Sequence, residues 1–160
     1  MPHRYAIAIG SNRRHGRHGA PAGVVRAAIA ALQDIGLVVI AASPVIRTPA
    51  LGPAGRSFAN AAAIVEGDVD PPVLLARLKA MEAAFGRRRG RRWGARVLDL
   101  DIILWSGGAW IGGPLVIPHR SLEQRDFVLK PLSLIAPGWR VGRGARTVRQ
   151  ARARLIRALG

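Results

Sequence analysis

A chain of 160 residues has room for one domain and, at that size, buries roughly 70% of the surface its unfolded form exposes. An apolar fraction of 49% excludes a disordered chain, no apolar run approaches the ~18 residues of a membrane span, and zero cysteines exclude disulfides, zinc–thiolate sites and thiol nucleophiles. The formal charge of +16 comes from 25 basic residues against nine acids, and only Lys79 and Lys130 among the basic residues are lysines. A drift from lysine to arginine and an anionic partner, nucleic acid or polyphosphate nucleotide, both account for that excess, and composition does not separate them.

Along the chain, the N-terminal apolar run is too short for a signal-peptide core, so a cytoplasmic protein is expected. "YAIAIGS" (5–11) reads as a short buried strand ending in a Gly-Ser turn. "GVVRAAIAALQDIG" has apolar spacing of three and four and stops at Gly36, as a helix does. "LVVIAASPVIRT" suits a strand, with Pro44 marking an edge or a bulge. "TPALGPAG" (48–55), with two prolines and two glycines, is a loop. "SFANAAAIVEG" is the third strand, and Pro71 and Pro72 open a second helix, "VLLARLKAMEAAF", that runs to Gly86. The Arg-rich loop "RRRGRRWGAR" follows, then "VLDLDIILW" as a fourth strand. The order β-α-β-β-α-β predicts an α+β, ferredoxin-like domain over residues 1–160, with an antiparallel sheet, helices packed on one face and mobile catalytic loops. "RDFVLKPLSLIAPGW" contains a short helical piece, and "TVRQARARLIRAL" is a terminal amphipathic helix.

Alternation in the fourth strand puts Asp99 and Asp101 on one face, about 7 Å apart, with Leu98, Leu100, Ile102 and Leu104 on the other. Hard oxygen donors at that spacing suit Mg²⁺, particularly two ions that also bind phosphate oxygens. The same pattern also describes an exposed strand face whose acids pair with arginines. The basic loop narrows the choice: Arg87, Arg88, Arg89, Arg91, Arg92 and Arg96 can fold over the carboxylates, with Gly86, Gly90 and Gly94 supplying mobility. Guanidinium groups beside metal-binding carboxylates are what a triphosphate requires, because phosphoryl transfer rests on positioning and charge stabilisation.

"RWGARVLDLDIIL" closely resembles the signature of the 6-hydroxymethyl-7,8-dihydropterin pyrophosphokinases, the folate-pathway enzymes that transfer pyrophosphate from ATP and release AMP. "AIAIGSN", "RTPALGP" (47–53), "FANAA" (58–62) and "IPHRSLEQRDFVLKPL" (117–132) are similar to that family's blocks and stand in its order. The resemblance implies a monomer with two Mg²⁺ ions on Asp99 and Asp101 and ATP as co-substrate. Arg89 and Arg96 would act on the transferring phosphates, with Arg87 and Arg92 in support. Glu82, Ile102, His119 and Arg125 would contact ATP. Phe58 and Phe127 would sandwich the flat pterin, Asn60 would read its edge with an amide that both donates and accepts, Thr48 and Leu51 would complete that edge, Pro49 would stiffen the loop, and Trp93 would close over the substrate. The family pattern is departed from at Phe58 (commonly tyrosine), Lys79 (glutamine), Ala95 (proline) and Arg120 (aromatic).

Taken singly, Phe58 and Phe127 also read as core, Asn60 as a strand-end cap and His119 as a turn residue. Two other functions are compatible with the residues, an RNA-binding domain and a different two-metal transferase. Paired carboxylates on an open strand face argue against a nucleic acid backbone there, and no membrane partner is expected.

Overall fold

The computed structural model describes residues 2–48, 57–86, 97–142 and 146–160. Its elements are β1 (His3–Ser11), α1 (Pro21–Ala31), β2 (Val38–Ala42), β3 (Ile46–Thr48), β4 (Phe58–Gly67), α2 (Pro71–Gly86), β5 (Asp99–Trp105), β6 (Trp110–Gly112), β7 (Leu115–Ile117), α3 (Asp126–Ile135) and α4 (Val148–Leu159). Both early helices start on a proline, whose missing N–H would be an orphan in the first turn anyway. A turn of 3₁₀ helix, Leu32–Ile35, follows α1 and ends at Gly36, whose φ of 85° is the left-handed value that favours glycine.

The main sheet has the order β2-β4-β1-β5, with β3 also paired to β4, and every pairing is antiparallel. This is the expected split arrangement, in which β4 inserts between β1 and β2. Pro44 separates β2 from β3 rather than bulging one strand, and the register shift in β2 falls between Val39 and Ala41.

The sheet is covered on both faces, which corrects the expectation of helices on one. Tyr5, Ile7 and Ile9 of β1 join Leu100 and Ile102 of β5 against Val24, Val25 and Ala28 of α1 and Leu74 and Leu78 of α2. On the opposite face Ala6, Ala62, Ile64, Ile103 and Leu104 pack against Leu129 and Leu132 of α3 and Val148 and Ala151 of α4. A strand buried on both sides reads as a nearly continuous apolar run, which is why "YAIAI" shows no polar alternation. Within that run the size alternates: bulky residues face α1 and α2, and small ones face α3.

β5 is also irregular. Ile7 pairs with Ile102 but Ala6 pairs with Leu104, so Ile103 is an extra residue in the ladder. The extra residue reverses the alternation beyond it, and Leu104 therefore shares the aspartate face instead of opposing it. Tyr5 fastens the core to the chain entering α2 by donating its hydroxyl proton to the Val69 carbonyl. Burial, with Asp70 nearby, pushes that phenol up to about 12, so it remains the neutral donor at ordinary pH.

Candidate active site

Three neighbouring strands line up their functional positions. Gly10 in β1 stands opposite Asn60 in β4 on one side and Asp99 in β5 on the other, and Ala8 stands opposite Ala62 and Asp101. With strands about 4.8 Å apart, Asn60 and Asp99 start from backbones about 10 Å apart, separated only by glycine and alanine. β3 extends the row at its outer edge, pairing Thr48 with Phe58 and Ile46 with Asn60.

The floor so formed opens into a cavity of about 630 Å³. Thr48, Phe58, Asn60, Asp99 and Asp101 line it from the sheet, and His119, Leu122, Arg125, Phe127 and Val128 line it from the segment that leads into α3. α3 packs its apolar side on the rest of this sheet face, so the cavity sits where that helix begins. This volume suits a flat heterocycle with attached groups, and its walls are mainly apolar with a few convergent polar groups.

Phe58 is 45% exposed and Phe127 49% exposed, so neither ring is core. The guanidinium of Arg125 lies 5.7 Å from the Phe127 ring centroid, close enough for a cation–π contact that holds both at the cavity wall. His119 accepts the Ser121 N–H at Nδ1, 3.1 Å away, which leaves Nε2 as the donor of the neutral ring. Its own backbone N–H donates to the Ile103 carbonyl, tying the wall to β5 next to the aspartates.

Two expected ATP contacts are not among the residues that line the cavity. The side chain of Ile102 is buried under α1 and α2, on the sheet face away from the carboxylates. Glu82 accepts the Leu100 N–H at 2.7 Å and pairs with Lys79 at 3.2 Å, so its carboxylate fastens the end of α2 to the residue between the two aspartates. Pro49, Leu51, Arg87, Arg89, Arg92, Trp93 and Arg96, with the loops expected to be mobile, lie outside the described residues.

Gly10, Ser11 and Asn12 also line the cavity and were not singled out in the sequence, where Gly10 and Ser11 read as a turn. β1 instead continues through Ser11. The missed signal is a glycine in strand register between two polar residues: a Cβ at Gly10 would stand 2.9 Å from the Asn60 Oδ1. Gly10→Ala therefore displaces the Asn60 amide while leaving the core untouched. The expected result is about a tenfold loss of affinity for the cavity's ligand with a Tm change of no more than about 2 °C, measured by calorimetric titration and thermal unfolding.

Asp99 and Asp101 offer only hard oxygen donors, and among the described residues no group of three or more His, Cys, Asp or Glu is placed to hold a metal. Two carboxylates match Mg²⁺, which usually takes one or two and completes its shell with water and substrate phosphates. Among the described residues no helix is long and apolar enough to cross a membrane.

A family model described as 7,8-dihydro-6-hydroxymethylpterin-pyrophosphokinase matches residues 6–137. The chain is 42% identical over 121 residues to a Methylorubrum extorquens protein named 2-amino-4-hydroxy-6-hydroxymethyldihydropteridine pyrophosphokinase, covering 75% of each. Proteins of the same name from Pseudomonas aeruginosa (36% identical, 90% of this chain and 87% of that one) and Haemophilus influenzae (36% identical, 81% and 79%) are similar over most of their length.

Proposed function

The chain belongs to the 7,8-dihydro-6-hydroxymethylpterin-pyrophosphokinase family, and from that premise we propose which of its residues hold each substrate. It is an ATP-dependent pyrophosphokinase: pyrophosphate passes from ATP to the hydroxymethyl oxygen of the dihydropterin, AMP leaves, and the product serves folate synthesis.

The pterin lies over Gly10 and Ala8, its ring between Phe58 and Phe127 and its hydrogen-bonding edge against the Asn60 amide, with Thr48, Leu51 and Pro49 bordering that edge. Its hydroxymethyl group then points along the row toward Asp99 and Asp101. The triphosphate meets the other end of the cavity, where Arg125 and the His119 Nε2 proton donate to its oxygens. Arg89 and Arg96, supported by Arg87 and Arg92, counter the charge that builds on the phosphates during transfer, and Trp93 closes over the pterin. Glu82 acts through β5, setting the strand that carries the aspartates.

Asp99 and Asp101 would hold two Mg²⁺ ions, whose charge would neutralise that of the phosphates. The chain's own contribution is to fix the pterin oxygen in line with the β-phosphorus and to keep water out between the aromatic walls. The enzyme works as a monomer in the cytoplasm, with ATP rather than nucleic acid as its anionic partner.

The observation that carries this reading is the Asn60–Gly10–Asp99 row across three strands, which joins an amide reader to a carboxylate pair through a gap without side chains. Mixing the protein with ATP, Mg²⁺ and the dihydropterin is expected to yield AMP and pterin diphosphate in equal amounts. ADP as product, or AMP release that ignores the pterin, would overturn it.

A further inference from the structure

The C-terminal helix lies outside the family match, which ends at residue 137, yet it contacts the segment that carries Arg125 and Phe127 to the cavity. Arg146, just before α4, bonds Glu123 through Nε and Nη2, both at 3.1 Å. About one turn into α4, the Arg152 Nε donates to the Asp126 Oδ1 at 3.0 Å. Glu123 and Asp126 bracket Arg125, and Asp126 immediately precedes Phe127. The two ion pairs therefore grip the short segment that presents both side chains to the cavity.

That segment needs holding. Arg125 is the N-cap of α3, its backbone is extended, and no side chain caps the helix there. Asp126, the acid in the first turn, points its carboxylate to Arg152. The tail is itself anchored independently of the pairs. Val148 and Ala151 are buried against α3, and the Thr147–Gln150 capping box fixes the start of α4. Backbone N–H groups of Val148 and Arg149 donate to the Trp139 and Pro137 carbonyls.

The four charged side chains are 31% to 41% exposed, and pairs that open to solvent add little to global stability. Their worth lies in where they put Arg125 and Phe127. We infer that Arg146 and Arg152 are positioning residues for the reaction, acting through Glu123 and Asp126 on the wall that holds pterin and phosphate. This rests on the assignment of Phe127 and Arg125 proposed above.

The test compares the full-length parent with R146Q/R152Q, the reversals E123R and R146E, the combined swap E123R/R146E, and Arg157→Gln as an exposed-arginine control. R146Q/R152Q is expected to raise the dihydropterin KM about tenfold with a smaller change in kcat. Tm should shift by no more than about 3 °C, and amide exchange should speed up at Val128 and Leu129, which close the first turn of α3 on the Arg125 carbonyl. Each single reversal should mimic the defect, the swap should bring KM back to within about threefold of the parent, and Arg157→Gln should change nothing.

Unchanged KM and unchanged exchange in R146Q/R152Q would overturn the inference, as would a swap no better than its single reversals. A parent that releases no pterin-dependent AMP, while exchange at 128 and 129 still responds, would instead remove the substrate assignment and leave the grip on α3 standing.

Discussion

Asp99→Ala and Asp101→Ala are each expected to reduce pterin-dependent AMP release by on the order of 10³-fold or more, with the fold intact. Stabilisation of a triphosphate's charge is the main work in this chemistry, and each aspartate supplies half of the carboxylate floor. Both acids line the cavity, while the packing of β5 rests on Leu98, Leu100 and Ile102 under α1 and α2 and on Ile103 and Leu104 under α3. Neither acid belongs to that packed core, so the unfolding midpoint should move by no more than about 3 °C. Single-turnover assays in Mg²⁺, beside thermal unfolding, check both halves. Release within tenfold of the parent by either variant would sink the metal assignment.

Phe127→Ala should act on binding rather than on stability. The ring is half exposed at the cavity wall, and a bound pterin covers what solvent now covers. Losing that burial and the stacking geometry costs about 2 to 3 kcal/mol, roughly 30- to 140-fold in pterin Kd. Tm should move by only about 2 °C, whereas Leu129→Ala, two residues on and fully buried, should cost about 2 to 5 kcal/mol of stability. Calorimetric titration with the dihydropterin, alone and with a nonhydrolysable ATP analogue, separates the partners. ATP affinity should fall only a few-fold, through the loss of the ring beneath Arg125. Equal losses for both ligands would show that the ring holds the wall together rather than the pterin.

Several features of the site were legible in the residues. A period of two placed Asp99 and Asp101 on one face whatever their neighbours were, Pro71 and Pro72 marked the start of the second helix, and Gly36 marked where the first helix and its 3₁₀ turn stop. Phe58, Asn60, His119, Arg125 and Phe127 were singled out and do share one cavity. Less legible were the features that depend on distant partners. The bulge at Ile103 carries no local mark, because four apolar residues in a row obey either register. The β6–β7 hairpin was missed since strands of three residues hold too little pattern to register. Glu82 was read as a contact to ATP, and its carboxylate also accepts the Leu100 N–H, a partner 18 residues away that no spacing rule links to it.

The sequence by itself determined the β-α-β-β-α-β order of the main elements, that the paired acids face the same way, and that the chain's blocks stand in the family's order. These follow from local periodicity and from residue identity. Only the tertiary structure decided that Asn60, Gly10 and Asp99 form one row, that small residues leave the floor between them open, and that the arginines of the tail grip the acids beside Arg125. Strand register and ion pairing between distant segments depend on how whole elements pack, and packing is settled by contacts that the chain makes only once it is folded.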